Sequence, residues 1–447
     1  MGCAPRLRAA HLNSTCNRKK TMSLVVAKFG GTSVASPERI QKVAQRLIQK
    51  KMDGHDVVAV VSAMGKTTDE LVGLADALNQ APSKREMDML LSTGEQVSMS
   101  LLAMAIQARG FQAVSFTGWQ AGIVTDNDFS RAKIEDIHSE RIQEALDTGA
   151  IVVVAGFQGL TEDGDITTLG RGGSDTTAVA LAHGIKADVC EIYSDVDGIY
   201  SADPRVAPRA RKLDVISYED MLELSSAGAG VLQSRAVEFA RKYNVVIHSR
   251  SAFSDAEGTL IKEVDPSMEH AVISGIAHDT SEMKVTLRGL ADDPGVAAGV
   301  FSALAANKVS VDMIIQNTTT NGLANITFTF PSAQKDLALE VVENLKNQMG
   351  VKEVLVDDDI AKVSLVGTGM KSSPGVAAKA FSALADNQIN LQMISTSPIR
   401  ISVVVDGSQV DSAVRCLHTA FGLDSDSVFE ETQLSAEEIA AKMNKGR

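Results

Sequence analysis

An internal repeat at a spacing of roughly 80 residues constrains the last part of this chain more tightly than any other feature of the sequence. Pro294-Gly295-Val296-Ala297-Ala298 returns as Pro374-Gly375-Val376-Ala377-Ala378, and Phe301-Ser302-Ala303-Leu304-Ala305 returns as Phe381-Ser382-Ala383-Leu384-Ala385. Both copies continue through an asparagine to a strand-like stretch containing Met-Ile. Each copy reads as strand, Pro-Gly turn, helix, strand, strand, helix, strand, with the proline fixing the backbone just ahead of the helix. Everything after Asp265-Pro266 is therefore expected to fold as two similar small modules. Such a pair either binds small ligands or serves only for subunit contact, and the repeat by itself leaves both open.

At 447 residues the chain exceeds what one compact core organises, so about two to four units are expected. From Ser23 to about Lys262, short β-branched runs alternate with helical patterns, the signature of an α/β structure. Strands are predicted near Leu24–Phe29, Val57–Ser62, Ala113–Phe116, Ile151–Phe157, Val189–Tyr193 and Val245–Ser249. Ser36 is placed to cap a helix that starts at Pro37, and Ile40, Val43, Leu47 and Ile48 share one of its faces. Several strands end in Gly, Ser, Thr or Asp. Open α/β sheets bind ligands at the carboxyl ends of their strands, so the site is expected along one edge.

The net charge of −13 includes a leader, 1–21, whose charges are all cationic (Arg6, Arg8, Arg18, Lys19, Lys20), which leaves about −18 for the rest. So acidic a body argues against nucleic acid as a partner. Any polyanion must be met by locally placed lysines, arginines, backbone amides and Mg²⁺. With 44% hydrophobic and 22% charged residues the body has the composition of a packed protein. No apolar run approaches the roughly 18 to 20 residues of a membrane span, and the leader lacks the apolar stretch of a secretory signal. A cytoplasmic protein without a membrane partner is expected. The leader reads either as a targeting peptide or as sequence upstream of a start at Met22. Cys190 and Cys416 lie in apolar runs without CxxC spacing or nearby histidines, so they are read as reduced core residues, and no metal-binding motif is evident.

Three motifs carry chemistry. Lys28-Phe29-Gly30-Gly31-Thr32-Ser33 closes the first strand; its glycines let backbone amides approach a phosphate, and Lys28 supplies a mobile positive charge. Read alone, it is equally a tight turn with a surface lysine. Thr167-Thr168-Leu169-Gly170-Arg171-Gly172-Gly173-Ser174-Asp175 leads into a helical run, 176–183. A glycine-rich loop feeding a helix N-terminus presents unpaired amides to an anion, and Arg171 adds a planar fork suited to carboxylate or phosphate. The same residues also suit a capped helix with Ser174 or Asp175 as N-cap. The third stretch, 192–205, is a strand end followed by a loop rich in Asp and Tyr and closed by Asp203-Pro204-Arg205, fit to hold a purine and ribose while Arg205 meets phosphate.

Taken in order with Val61-Ser62-Ala63-Met64-Gly65 and Ser92-Thr93-Gly94-Glu95, these motifs resemble the amino-acid kinase superfamily, and the two repeats resemble ACT domains. Together they make the chain similar to the monofunctional aspartate kinases from about Ser23 to about Val428. The resemblance implies an α/β fold: a three-layer α/β/α sandwich followed by two ferredoxin-like (βαββαβ) ACT domains. The limits it suggests are 1–21 for the leader, 22–265 for the kinase domain, 266–358 and 359–435 for the ACT domains, and 436–447 for a tail. It implies transfer of the γ-phosphate of ATP, with Mg²⁺, to the β-carboxylate of L-aspartate, the first step toward lysine, threonine and methionine, under feedback by lysine, threonine or both.

Carried over residue by residue, it places Lys28, Phe29, Gly30 and Gly31 at the ATP phosphates, and Ser194, Asp195, Tyr200 and Arg205 around the nucleotide. Thr68, Glu95, Arg171, Gly172, Gly173 and Ser174 would hold aspartate, with Lys28, Arg171 and Asp175 as the catalytic set. Effector contacts fall at Ser310, Val311, Asp312 and Gln316 in the first repeat and at Asn390, Leu391 and Ser397 in the second. The copies differ there, Asp312 against Gln392 and Gln316 against Thr396, so unequal binding is expected. A homodimer or larger oligomer through the ACT domains, and an internal start at Met268, belong to the same pattern. One departure is Gly230, where many relatives carry a lysine. The competing readings are a kinase of the same fold acting on glutamate, acetylglutamate or a nucleotide, and a catalytically silent amino-acid sensor.

Overall fold

Period-two alternation of apolar side chains sends successive residues of a strand to opposite faces, and here both faces of the main sheet are covered. A computed structural model describes residues 23–264, 272–318 and 322–424; the leader, Met268 and the tail lie outside them. The main sheet has eight strands in the order Val215–Ser217, Thr259–Lys262, Ile247–Ser251, Val189–Ser194, Leu24–Phe29, Asp56–Val61, Ile151–Ala155, Ala113–Phe116. Neighbours run parallel except Ile247–Ser251 against Thr259–Lys262. Val26, Val58, Val60, Val152 and Ile192 pack under the helices Gly173–Gly184, Tyr218–Ser226 and Ser234–Tyr243. Ala27, Phe29, Ala59, Val61 and Val153 pack on the other side against Pro37–Met52 and Thr93–Gln107. This is the three-layer sandwich.

Local chemistry sets the helix ends. Ser36 Oγ accepts the Arg39 N–H, Pro37 opens the helix, and Ile40, Val43, Leu47 and Ile48 are its buried face. Leu47 is fully buried, and cutting it to alanine would cost about 2 to 5 kcal/mol. The helix after the glycine-rich loop begins earlier than predicted and is capped differently. Gly172 is its N-cap at φ 72°, in the left-handed region that favours glycine, and Ser174 and Asp175 lie inside the first turn instead of capping it. A smaller sheet, Ile134–Ile137, Ile123–Thr125, Gln158–Leu160 and Ile166–Thr168, carries Thr167 and Thr168. One amendment concerns apolar runs: the helical stretch Lys84–Gln107 is long and apolar enough to cross a membrane, and half of it is buried inside the protein.

The first repeat closes on itself. Its sheet runs Ile314–Thr318, Leu323–Pro331, Glu282–Ala291, Glu353–Asp357, with the helices Val296–Ala306 and Lys335–Met349 packed on it. The second has Ile360–Val366, Arg400–Asp406 and Met393–Ser397, with Val376–Asp386 and Val410–Ala420. Here the strict chain order βαββαβ needs correction. The edge beside Ile360–Val366 is filled by Gly275–Asp279, a strand upstream of the first repeat, in antiparallel register from Gly275↔Val366 to Asp279↔Lys362. The first repeat is thus inserted between two strands of the second sheet. Its own first and last strands are paired neighbours, Lys284 opposite Asp357, so its two ends leave side by side and the insertion needs no rearrangement of the host sheet.

Between the modules, Lys362 is nearly buried and pairs with Glu282 at 2.6 Å and Asp312 at 2.5 Å. Lys284 pairs with Asp357 at 2.9 Å and donates to Gln392. Met313, Ile360, Met393 and Val404 form a small core there.

Candidate active site

Parallel strands bring Phe29, Val61, Ala155 and Ser194 to one edge of the sheet. Just inside that edge, Lys28 Nζ lies 2.5 Å from Asp175 Oδ1, with both side chains largely shielded from water. The pair ties the first strand to the helix that follows the glycine-rich loop. Gly30 N donates to Tyr193 O at 3.4 Å, which sets the first motif against the third. Gly31 is required by crowding, since a Cβ there would stand 2.8 Å from Ala63 O.

Ala63 leads to the next group. Its N–H donates to Glu95 Oε1 at 3.1 Å, Glu95 is only 3% exposed, and Oε2 has no hydrogen-bond partner among the described residues. Burial pushes this carboxyl up to about 8. Thr68 is half-buried in the first turn of the helix Thr67–Leu78, next to Thr67, whose methyl faces Gly94. Ser174 is buried beside Asp175, whereas Arg171 is exposed and forms no ion pair among the described residues. Gly172 and Gly173 form the turn between them.

Beyond the end of the neighbouring strand Val189–Ser194 a cavity of about 320 Å³ is walled by Ser194, Asp195, Tyr200 and Arg205, by the turn 228–230 and by Ile276 and His278. Tyr200 Oη donates to Asp197 at 2.9 Å, and burial together with Asp197 pushes the phenol up. Arg205 is forked onto Asp203 through Nε and Nη2, at 3.0 and 2.6 Å. The Phe29 ring lies in the core, stacked 4.7 Å from Tyr193, and leaves only its backbone for a ligand. Gly230 faces the cavity.

The effector residues lie away from this edge, on the two modules. Residues 311–318 and 391–398 show the same alternation of burial, so Val311 and Leu391 are half-buried while Gln316 and Ser397 are exposed on edge strands. Ser310 N donates to Gln334 Oε1 at 2.9 Å, and Asn390 is exposed. The Asp312 carboxylate is held by Lys362, which lowers its pKa against the opposing effect of burial.

Two parts of the arrangement were not legible beforehand. Asp88 is fully buried and accepts from the N–H and hydroxyl of both Ser130 and Thr168, pinning the loop that leads to Arg171; a lone acid in a short helix gave no sign of it. Ile276 and His278 reach the cavity through long-range strand pairing. His183, stacked 4.2 Å from Tyr243, and His248, bonded to the Glu257 carbonyl, take no part.

The amino acid kinase family model matches residues 23–249, and ACT domain models match 285–348 and 363–421. The aspartokinase of Mycolicibacterium smegmatis is 54% identical over 410 residues, covering 91% of this chain and 97% of the relative. That of Corynebacterium glutamicum is 52% identical over 407 residues, covering 90% and 97%. Among solved structures, E. coli aspartokinase III in complex with aspartate and ADP, in its R-state, superposes with a TM-score of 0.73 at 26% identity, covering 89% of this chain and 99% of that one. The T-state complex of the same enzyme with lysine and aspartate gives 0.71 at 26% identity, with the same coverage.

Proposed function

The chain belongs to the amino acid kinase family, among the aspartokinases, and from that premise we propose that it transfers the γ-phosphate of ATP to the β-carboxylate of L-aspartate, giving 4-phospho-L-aspartate and ADP. The observation that carries this reading is the Lys28–Asp175 ion pair on the strand Leu24–Phe29, whose sheet neighbours lead on one side, through Val189–Ser194, to the 320 Å³ cavity and on the other, through Asp56–Val61, to the Ala63–Glu95 hydrogen bond.

The acceptor carboxylate is already ionised at neutral pH, so in-line attack on the γ-phosphorus requires no general base. The barrier is the approach of two anions, which at about 4 Å repel by roughly 4 kcal/mol at an effective dielectric of 20. Lys28 and the amides around Gly30, Gly31 and Gly173 offset that repulsion, and Asp175 keeps the lysine in place before substrates arrive. Glu95 receives the substrate ammonium, Arg171 forks onto the α-carboxylate, and Thr68, Gly172 and Ser174 complete the pocket. Ser194, Asp195, Tyr200 and Arg205 hold the nucleotide.

Among the described residues no group of three or more His, Cys, Asp or Glu side chains is arranged for a metal ion. The donor set fits a Mg²⁺ carried mainly by phosphate oxygens, with Asp195, Asp197 and Asp203 the carboxylates on the cavity wall. When bound, the ion supplies charge neutralisation on the phosphates.

The ACT modules support feedback by lysine, threonine or both, with contacts at Ser310, Val311, Asp312 and Gln316 and at Asn390, Leu391 and Ser397. The same reading places the enzyme in the cytoplasm, at the head of lysine and threonine biosynthesis, as an oligomer joined through those modules. The domain limits 22–265, 266–358 and 359–435 carry over with 275–279 reassigned to the second module. The test is ADP release measured with aspartate, glutamate, acetylglutamate and UMP as acceptors. Aspartate alone is expected to support turnover; equal rates with glutamate, or none with aspartate, would sink the assignment.

A further inference from the structure

The segment after Tyr200 packs into a core other than that of the kinase sandwich. Ala202, Ala207 and Ala210 are buried among Ile276, Ala361, Leu417 and Leu423, in the core of the second ACT module. Ser201, at the head of this segment, is fully buried and bonded on every side. Its N–H donates to Arg211 O at 2.9 Å and its carbonyl accepts from Ile276 N at 2.7 Å. Its Oγ accepts from Arg211 N at 2.8 Å and lies 2.9 Å from His418 Nε2 and 3.3 Å from Leu423 O. His418, 1% exposed on the closing helix Val410–Ala420, places Nδ1 2.7 Å from Asp424 Oδ1.

Serine, histidine and aspartate in that order suggest a nucleophile relay, but Ser201 is sealed from solvent and its Oγ already has three partners, which leaves no approach for a substrate. The arrangement is a fastening. The Asp424 carboxylate can only accept, so it holds the ring with Nδ1 protonated and turns Nε2 toward the Ser201 hydroxyl. Both sequence neighbours of Ser201, Tyr200 and Ala202, wall the cavity, as does Ile276, which binds its carbonyl.

We propose that His418 is a positioning residue for ATP: through Ser201 it fastens the 199–205 wall of the nucleotide cavity to the second ACT module. The proposal rests on reading that cavity as the nucleotide site. It follows that a disturbance of the second module reaches ATP before aspartate, whose proposed contacts sit on the helices Thr67–Leu78, Thr93–Gln107 and Gly173–Gly184 and on the loop residues Arg171 and Gly172.

Steady-state constants for both substrates, with melting curves on the full chain, test this in His418→Phe, His418→Gln, Ser201→Ala and Ala229→Trp. His418→Phe keeps the ring but loses both nitrogens, and KM for ATP is expected to rise about tenfold while KM for aspartate stays within about twofold. His418→Gln, whose amide reaches the position of Nε2, should recover most of that loss. Equal rises in both KM values, or a glutamine variant as impaired as the phenylalanine variant, overturn the proposal. If the phenylalanine chain does not fold, Ser201→Ala decides, and an unchanged KM for ATP overturns it. Ala229→Trp fills the cavity. If it leaves KM for ATP unchanged, the cavity reading falls and takes the proposal with it. If it raises KM while His418→Phe does not, only the fastening is wrong.

Discussion

The two repeats share their Pro-Gly turn, their helix sequence and the exposure pattern of their edge strands, yet they are wired into the molecule differently. The first closes its own four-stranded sheet. The second borrows a strand from upstream and takes three alanines of the segment after Tyr200, Ala202, Ala207 and Ala210, into its core. A repeated pattern therefore specifies a repeated fold, while the path of the connecting chain decides which copy the catalytic domain depends on. The first copy is built as a removable insertion joined to the second through Lys362 and Lys284; the second contributes Ile276 and His278 to the wall of the 320 Å³ cavity.

The largest expected effect would break this comparison outright. Ending the chain after Asp358 strips the second module and should abolish soluble, active protein. Replacing 280–361 by Asn-Gly converts Gly275–Asp279 and the rest of Ile360–Val366 into a hairpin, and should leave kcat within roughly threefold. If the two deletions behave alike in solubility and ADP release, the asymmetry is wrong.

Next in size is a pair of lysines. Lys28→Met should lower kcat about 10²- to 10³-fold with an unchanged melting curve, because it acts on transition-state charge. Lys362→Met should do the reverse, destabilising the chain by about 3 kcal/mol by stranding the buried Glu282, with turnover at low temperature preserved. Urea titration and steady-state rates separate the two.

Two buried acids then sharpen the contrast. Burial raises the Glu282 carboxyl while Lys362 opposes it; Glu95 has no ion pair among the described residues, and burial raises it to about 8. A folded value above the ordinary carboxylate range means that Glu95's contribution to stability is complete below the unfolded value and is lost as pH rises toward 8. Glu95→Gln should flatten that slope. Under the proposed pairing of Glu95 with aspartate's ammonium, binding should release roughly one proton per site at pH 7, read from the buffer dependence of the binding enthalpy. No buffer dependence would remove Glu95 from the ammonium site.

The smallest effect on turnover is expected from Gln316→Ala on the first module's edge strand. Uninhibited kcat should be unchanged, while the inhibition curve with lysine and threonine shifts about tenfold, equivalent to 1.4 kcal/mol of differential affinity. A curve that overlays the unsubstituted chain would move the effector site elsewhere.

Much of this was legible because it is local. Ser36 and Pro37 set a helix start, Ile40, Val43, Leu47 and Ile48 set its buried face, and glycine-rich strand ends marked the edge where Lys28 and Asp175 meet. Alternation and repeats are properties of neighbours along the chain, so the α/β class and the two modules could be read from them, while the three-layer sandwich followed from the family resemblance. The cap was misplaced because Ser174 and Asp175 are good caps in isolation, and only Gly172 reaches φ 72° without strain. Tertiary structure alone decided the rest. Nothing in Gly275–Asp279 announces that it pairs with a strand more than eighty residues away, since strand pairing is a long-range choice that leaves little local pattern. Ser201, His418 and Asp424 are ordinary residues until packing excludes water and leaves them only one another to bond.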